Sequence, residues 1–472
     1  MLKRTLLSAL IVSCVAFESA IADSLFDMSE MRDPRTLDIV TLQDWHIVPG
    51  AIETRQKLVD IRVGPLWEGQ DLRIPVRFIV PVDRKAKGFH LTGGNQLNRL
   101  KEASTPKGIE ISLIEGGIGL VKTIVQEPKA YGEAVLGDAM KQRFIETLDT
   151  RYSIQYWGWP AILMRAITAA ESEIGHFSPG KIAVSGGSKN GASPSVALIA
   201  DDRITALHAS VSPLWESPLR LCDEEAWKAL RNYNLQKGHT KPHVFLGGTF
   251  GPIYNEQALA AGHSWSDLQA LANGLANSIF VSRNLNALEK RNVDLLFHPG
   301  THDYVAFDLA WGGAHYPQIP TYLAVNSGHG YRNRPASAEK DEQNKAAFLL
   351  NHFFDGVDDL QTTPELSYRH DGDDLRVSVK FPHGSKPESG RIWWAYDRGP
   401  DGSVSYIRDL FPEDQWKDME YHPEGNEWTV TIALDPNASH VDLFSNHRKT
   451  LRYHSKRYST YISSPYTRVR LK

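Results

Sequence analysis

Three residues of this sequence are of the types that nucleophilic catalysis requires. Ser188 stands in the stretch 186–189 (Gly-Gly-Ser-Lys), directly after a short apolar run, and the glycines allow a sharp turn that presents its hydroxyl. Asp303 and His329 each follow another strand-like run. A serine nucleophile needs a base to take its proton and an acid to orient that base. We therefore predict Ser188 as the nucleophile, His329 as the base and Asp303 as the acid.

A second histidine, His302, is an alternative base because it also follows a strand-like run. With His302 as the base, the acid would have to follow a strand predicted at 243–246. The loop after that strand contains no carboxylate before Glu256. The sequence therefore favours His329 over His302.

The sequence predicts no metal site and no cofactor. His298, His302 and Asp303 are metal-ligand types, but proline and glycine at 299–300 break the helix that an i, i+4 pair of ligands would use. The glycine-rich stretch 115–119 does not have the spacing of a dinucleotide-binding loop.

Two further features could hold the negative charge that forms when a serine attacks a carbonyl group. Gly93 and Gly94 follow a short predicted strand, and glycines there let a backbone N–H approach the substrate oxygen. Lys189 follows the nucleophile at the predicted start of a helix, so its N–H and its charged side chain are both candidates. We expect the Lys189 side chain to stabilise the oxyanion or to bind an acidic substrate. The alternative is a lysine that is solvated or paired with a lid carboxylate.

The elements around these residues alternate as an α/β-hydrolase with a doubly wound sheet requires. The chain order Ser188, Asp303, His329 is also the hydrolase order. We expect an antiparallel edge that contains the strand 72–82, and a buried strand at 109–114. The other predicted elements are helices at 156–170, 192–200 and 341–354 and strands at 181–184, 205–211, 293–297 and 321–325.

Beyond the closing helix, the pattern changes to short alternating runs that are typical of a small all-β sandwich. Trp393, Trp394, Trp416 and Trp428 could stack on sugar rings there, although aromatic residues in sandwich strands are mostly core. The predicted organisation is a signal peptide (1–22), an α/β-hydrolase domain (23–355) with a helical lid at about 212–292, and a β-sandwich domain (364–472).

The amino terminus predicts export. A positively charged start, the apolar run 6–17 and Ala-Ile-Ala at 20–22 are typical of a secretory signal, so we expect a secreted or periplasmic protein without a transmembrane segment. The run 11–14 (Ile-Val-Ser-Cys) also resembles a lipoprotein box with Cys14 as the acylated residue. Once the signal is removed, Cys222 is left without a partner for a disulfide within the chain.

The overall composition gives no support for two classes of partner. The chain has 472 residues, of which 41% are hydrophobic and 23% charged, which is ordinary for a globular protein with a large core. Its 52 basic and 56 acidic residues give a net charge of -4. This balance does not indicate nucleic-acid binding or a basic membrane-facing surface.

The stretch 186–191 (Gly-Gly-Ser-Lys-Asn-Gly), the run 322–330 (Tyr-Leu-Ala-Val-Asn-Ser-Gly-His-Gly) and the β-rich tail resemble the PhoPQ-activated pathogenicity-related family of exported α/β-hydrolases. That family usually has arginine at the position of Asn190 and a more acidic loop around Asp303. A basic residue directly after the serine, as Lys189 is here, is also similar to glucuronoyl esterases, whose elbow continues into Gly-Lys where this chain has Gly-Ala. The resemblances imply an exported hydrolase whose basic residue helps to hold the oxyanion.

These features predict a secreted serine hydrolase, an esterase that acts on a small-molecule or polymer ester through an acyl-enzyme. A serine peptidase is one alternative. Another is a catalytically inactive hydrolase fold that serves as a binding or signalling protein, because the serine turn departs from Gly-x-Ser-x-Gly. Labelling with a fluorophosphonate probe would separate an activated serine from an inactive fold.

Overall fold

The structure of the chain is a computed structural model. It describes residues 25–94, 100, 103–124, 136–212, 214–216, 222–239, 255–305, 308–329, 335 and 337–471. The predicted signal peptide (1–22), with Cys14 inside it, and the strand predicted at 243–246 lie outside the described residues.

The centre of the fold is a mixed sheet with eight strands in the described part of the chain. These are β1 (Val40–Val48), β2 (Thr54–Trp67), β3 (Gln70–Pro81), β4 (Ala86–Gly94), β5 (Gly119–Ile124), β6 (Phe177–Gly187), β7 (Ala206–Ser210) and β8 (Asp294–His298). Their spatial order is β1-β2-β3-β5-β4-β6-β7-β8. The first three pair antiparallel, and β4 to β8 pair parallel. The predicted α/β-hydrolase sheet is confirmed.

Helices cover both faces of this sheet. They are α1 (Met28–Met31), α2 (Ile109–Glu115), α3 (Leu136–Thr147), α4 (Trp159–Ser172), α5 (Lys189–Ala200), α6 (Glu224–Gln236), α7 (Asn255–Ala260), α8 (Trp265–Ile279), α9 (Leu285–Lys290), α10 (Leu309–His315) and α11 (Asn344–Phe353). Short 3-10 turns lie at Pro34–Thr36, Thr150–Tyr152 and Val281–Asn284, and a π-helical turn at Ile154–Gly158. Helices α4 and α5 share a core with one face of the sheet, and α2 and α11 share a core with the other.

Helix α4 is apolar along almost its whole length because it is buried against the sheet. Pro160 lies in its first turn, where the N–H that proline lacks would have no helical acceptor. Arg165 is fully buried, and its guanidinium donates to the carbonyl oxygens of Glu30 and Arg62 at 2.7 and 3.2 Å. The helix therefore also fixes the chain that precedes the sheet.

The strand predicted at 109–114 is wrong, because these residues form α2. Strands β4 and β5 are parallel neighbours, so the chain between them must cross over the sheet, and α2 lies in that crossover. Leu113 and Ile114 turn inward from it, and the apolar run is one face of a short helix. The strand is the next segment, β5, which begins at the last residue of the glycine-rich stretch 115–119 and is not among the predicted strands.

The strand predicted at 72–82 exists as β3, but it is the innermost of three antiparallel strands. Strands β1 and β2 lie outside it. β1 is exposed at almost every position, and the first half of β2 carries charged side chains. Neither strand therefore shows the continuous apolar run by which β3 can be found in the sequence.

The lid predicted at about 212–292 is helical in its described parts, which contain α6 to α9. Helix α8 begins with a capping box in which the side chains of Ser264 and Asp267 each accept the other residue's backbone N–H. Trp215 and Trp227 are buried, and Trp265 packs against Trp227 with 6.3 Å between the ring centres. These tryptophans contribute to the core of the lid.

The C-terminal part is an all-β sandwich, as predicted. One sheet has the order β13-β14-β10-β9, and the other has the order β12-β11-β15-β16 with β17 beside β15. The elements are β9 (Glu365–Asp371), β10 (Asp374–Lys380), β11 (Ser389–Tyr396), α12 (Val404–Arg408), β12 (Trp416–Asp418), β13 (Glu420–His422), β14 (Glu427–Ala433), β15 (His440–Tyr453), β16 (Lys456–Ser463) and β17 (Thr467–Arg470).

The sandwich tryptophans give little surface for a sugar. Trp393, Trp394 and Trp428 are buried in the core, as expected for most aromatic residues of sandwich strands, so these three present no face for stacking on a carbohydrate. Trp416 is half-buried, and the guanidinium of Arg391 lies 3.9 Å from the centre of its ring. Aromatic side chains in these strands therefore serve mainly as packing.

The sandwich and the hydrolase sheet are joined along the segment 321–325. This segment, predicted as a strand, makes two isolated parallel bridges to the end of β8 and the residues after it. On its other side, Leu323 N donates to Ser463 Oγ at 2.7 Å, and Ser463 N donates to Thr321 O at 2.8 Å. The segment is therefore held between β8 and the C-terminal domain.

Candidate active site

Ser188 lies where β6 ends and α5 begins. Its backbone has φ 57° and ψ -124°, a conformation that is strained for any residue with a β-carbon. In α/β-hydrolases a strained strand-to-helix turn of this kind lifts the nucleophile above the sheet. The sharp turn predicted at Ser188 is confirmed.

The neighbouring strand supports this turn. Ser188 N donates to Ser210 O, at the end of β7, with a distance of 2.9 Å. A β-carbon at Gly187 would lie 3.2 Å from Ser210 Oγ, so glycine lets the two strands come together there. The first helical hydrogen bond of α5 runs from Ala192 N to Ser188 O at 3.0 Å. The N–H groups of 189–191 therefore belong to the first turn, which has no acceptor within the helix.

His329 and Asp303 form a hydrogen-bonded pair. His329 Nδ1 lies 3.0 Å from Asp303 Oδ1 and 3.3 Å from Oδ2. The Asp303 side chain is fully buried, that of His329 is 25% exposed, and Val305 N donates to Asp303 Oδ1 at 3.0 Å. A carboxylate against Nδ1 holds the proton on that nitrogen, so the lone pair of the ring is on Nε2.

His302, the alternative base, does not make an equivalent pair. Its Nδ1 is buried and has no hydrogen-bond partner among the described residues. Burial lowers the pKa of His302, and the positive charge of Arg398 lowers it further. The structure therefore brings the predicted acid to His329.

The loops that carry the acid and the base are tied to each other. His302 N donates to Ser327 O at 3.1 Å, and Asn326 N donates to Thr301 Oγ1 at 2.8 Å. A β-carbon at Gly300 would lie 2.1 Å from Ser327 O, so this approach of the two backbones requires glycine. The distance between acid and base is thus set by backbone contacts.

The residues predicted for the oxyanion lie at the same edge of the sheet. Gly93 and Gly94 are the last residues of β4, which pairs with β6, and Thr92 lies opposite Ser185. The loop that continues at 95–99 lies outside the described residues. Lys189 is the first residue of α5, and its side chain is outside the described part of the structure, so its role stays a prediction.

A buried contact between a serine and a histidine lies inside the sheet. Ser185 Oγ and His90 Nε2 are 2.7 Å apart, and both side chains are almost completely buried. Burial lowers the pKa of His90 far below its ordinary value, and its Nδ1 has no partner among the described residues. This pair is therefore closed to solvent, and no carboxylate among the described residues orients the histidine.

Two features near the base had no clear sequence signal. The ring of Tyr304 lies 4.6 Å from the ring of His329, and burial raises the pKa of the Tyr304 hydroxyl, with the charge of Asp303 adding to the effect. Arg398 donates to the backbone just before Asp303 from the C-terminal domain. Tyr304 could have been suspected from its place beside Asp303, but nothing local marks Arg398.

In the part of the chain that the structure describes, no group of three His, Cys, Asp or Glu side chains could hold a metal ion. The same residues include no helix with the length and apolar character needed to cross a membrane. Cys222 is buried, its thiol donates to Asn255 Oδ1 at 3.7 Å, and burial raises the pKa of the thiol to about 12.

No protein-family model matches the chain, and no curated protein matches its sequence. The resemblance to the PhoPQ-activated family therefore stays a prediction.

Several solved structures are similar in fold at low identity. A CE15 glucuronoyl esterase from Teredinibacter turnerae is 14% identical with a TM-score of 0.34, and the match covers 56% of this chain and 61% of the esterase. Acetyl xylan esterase 1 from Thermoanaerobacterium is 14% identical with a TM-score of 0.35, over 64% of this chain and 86% of that one. An acylaminoacyl peptidase from Pyrococcus horikoshii is 12% identical with a TM-score of 0.31, and the match covers 60% of this chain and 45% of the peptidase.

Proposed function

We propose that this chain is a serine hydrolase that cleaves carboxylic esters through an acyl-enzyme. Ser188 is the nucleophile, His329 the general base and Asp303 the acid that orients the base. The observation that carries the proposal is the hydrogen bond between His329 Nδ1 and Asp303, on loops at the sheet edge where the strained turn of Ser188 stands. An imidazole held in this way presents Nε2 to a hydroxyl group.

The reaction follows from these roles. Ser188 Oγ attacks the carbonyl carbon of the ester and gives its proton to His329 Nε2. The resulting oxyanion accepts hydrogen bonds from the N–H of Lys189, at the positive end of α5, and from a backbone N–H at the end of β4, where Gly93 and Gly94 lie. His329 then gives the proton to the alcohol oxygen as the ester C–O bond breaks, which leaves the acyl-enzyme. Water gives a proton to His329 as it attacks the acyl-enzyme, and the carboxylic acid product leaves when Ser188 regains its proton.

The substrate that we propose is a small-molecule or polymer ester. The basic Lys189 directly after the nucleophile supports this class, because a cation there stabilises the oxyanion or a negative charge on the substrate. We further propose that the protein is exported, with Asp23 as the first residue after signal removal, since 1–22 have the pattern of a secretory signal. Anchoring through Cys14 is the alternative.

A fluorophosphonate probe tests the nucleophile. The unmodified chain is expected to be labelled, and Ser188→Ala is expected to lose both labelling and esterase activity. A cooperative unfolding transition of Ser188→Ala would show that the variant keeps its fold. The matched control is Ser185→Ala, which removes a buried serine hydroxyl that contacts His90. Ser185→Ala should still be labelled. Labelling that persists in Ser188→Ala, or that disappears only in Ser185→Ala, would exclude Ser188 as the nucleophile.

A further inference from the structure

A segment of the C-terminal domain contacts the acid loop directly. We call residues 398–411, which connect β11 to α12 and continue beyond it, the bridging segment. In this segment Arg398 is fully buried, and its Nη2 donates to Thr301 O at 2.9 Å, two residues before Asp303. The same guanidinium donates to the carbonyl oxygens of Tyr406 and Asp409 at 2.7 and 2.8 Å. It therefore fixes the bridging segment and the acid loop together.

The same segment holds the base loop through a reciprocal pair of hydrogen bonds. Asn326 Nδ2 donates to Phe411 O at 2.7 Å, and Phe411 N donates to Asn326 Oδ1 at 2.8 Å. Asn326 is buried, and its φ of 51° lies in the left-handed region, which asparagine tolerates better than most residues. His329 follows three residues later, so this contact sets the course of the chain into the base.

The bridging segment also contacts the lid. Val404 N donates to Asn234 Oδ1 at 2.9 Å, and Asn234 is a fully buried residue of α6. The acid loop, the base loop and a lid helix therefore all bind one stretch of the C-terminal domain. Two of these contacts lie within three residues of Asp303 or His329.

We infer that the bridging segment positions Asp303 against His329, so that the C-terminal domain contributes to the geometry of the active site. The inference rests on the proposed function. Arg398 and Asn326 are positioning residues, because they act on the backbone of the loops and do not bind the substrate. Movement of a catalytic group by about 1 Å costs about 100-fold in rate, so loosening either contact should reduce turnover.

The test uses Asn326→Gly in the full-length protein. Glycine accepts the left-handed backbone and keeps the N–H that donates to Thr301 Oγ1, while it removes the two side-chain hydrogen bonds to Phe411. The control is Asn426→Gly, because Asn426 also has a left-handed backbone, with φ 49°, and donates through Nδ2 to three backbone carbonyls in the sandwich. Both variants should lose similar stability. Only Asn326→Gly should lower kcat, by about 10- to 100-fold, with KM changed by less than about 3-fold.

Two further measurements separate positioning from a general loss of structure. The low-field proton resonance of the imidazole N–H bonded to a carboxylate should shift or broaden in Asn326→Gly and stay unchanged in Asn426→Gly. If Asn326→Gly does not fold, Asn326→Asp replaces it, with Asn426→Asp as its control, because aspartate tolerates the left-handed backbone and keeps the acceptor for Phe411 N but lacks the donor to Phe411 O. Asn326→Asp should likewise lower kcat and alter the resonance.

Equal kcat, probe-labelling rate and proton resonance in Asn326→Gly and its control would overturn the positioning role. The proposed function fails in a different way, since the unmodified chain would then take no probe. In that case the proton resonance still reports whether the bridging segment holds the pair, and an unchanged resonance would again count against the inference.

Discussion

Arg398 Nη2 donates to the carbonyl oxygen of Thr301, which is two residues before the predicted catalytic acid Asp303. Arg398 belongs to the C-terminal domain, and its guanidinium is fully buried. A buried charge is costly unless it is compensated. Here Nη1 donates to the hydroxyl of Tyr466 at 2.5 Å, and that hydroxyl donates to Asp442 at 2.7 Å. The Tyr466 hydroxyl thus links Arg398 to Asp442, which itself forms a direct ion pair with Arg468 inside the sandwich, so the two parts of the chain share one polar network.

The strained backbone of Ser188 predicts a difference between two inactive variants. Ser188→Ala keeps a β-carbon at φ 57°, whereas Ser188→Gly removes the strain. Strain of this kind is about 1–3 kcal/mol, and glycine loses about 1 kcal/mol more conformational entropy on folding. We expect Ser188→Gly to be more stable than Ser188→Ala by about 1 kcal/mol in urea unfolding.

The control is the same pair of substitutions, to glycine and to alanine, at an exposed position in an ordinary helix. There the alanine variant should be the more stable of the two. If Ser188→Ala is as stable as Ser188→Gly or more stable, the turn at Ser188 is unstrained in solution. Both variants should lack esterase activity.

Replacement of the base distinguishes the two histidines. His329→Ala should lower kcat/KM by about a thousand-fold or more, since the members of a triad act as a unit. His302→Ala should stay within about 10-fold of the unmodified protein, because His302 Nδ1 has no partner among the described residues. The measurement is ester hydrolysis by purified proteins of equal fold. An inactive His302→Ala beside an active His329→Ala would make His302 the base.

The pairing of Asp303 with His329 could be expected from the sequence because each follows a strand-like run, and strand ends of a parallel sheet meet at one edge. Gly300 could not be interpreted in this way. Its importance lies in its approach to Ser327 O, which depends on how two loops pack. Arg398 was equally hidden, because its burial depends on aromatic rings of Tyr406 and Phe411 at 4.4 and 4.9 Å.

The fold shows the same division between local and tertiary information. The apolar centres of the parallel strands β6, β7 and β8 are buried, so their apolar runs are visible in the sequence. Strand β1 has mostly exposed residues and owes its place to pairing with β2. The segment 109–114 carries branched apolar residues that favour a strand, but the crossover between β4 and β5 imposes a helix.

Asp401, in the bridging segment, predicts a pH-dependent stability. Trp311 N donates to Asp401 Oδ2 at 2.8 Å, and burial raises the pKa of Asp401 to about 7, with the charge of Asp308 adding to this effect. In the unfolded chain the pKa is about 4. Between these values the folded protein keeps a proton that the unfolded chain has lost. The free energy of unfolding from this group is therefore full below about pH 4 and falls as the pH rises to about 7.

Asp401→Asn should remove this contribution to the pH dependence. Relative to the variant, the unmodified protein should lose about 2–3 kcal/mol of unfolding free energy between pH 5 and pH 8. Urea unfolding of both proteins at the two pH values measures the difference, in which the titration of all other groups cancels. Equal pH dependence of the two proteins would mean that Asp401 is ionised in the folded state throughout.

The last prediction concerns the charge of Lys189, which follows the nucleophile at the start of α5. If this charge stabilises the oxyanion, Lys189→Met should lower kcat by about 10- to 1000-fold on neutral and acidic esters alike, with KM little changed. If it binds a substrate carboxylate, only acidic esters should be affected, mainly through KM. Lys189→Arg is the control that keeps the charge. The backbone N–H of residue 189 is present in every variant, so the comparison isolates the side chain. Unchanged kinetics on both ester classes would mean that the side chain is solvated or paired with a carboxylate of the lid.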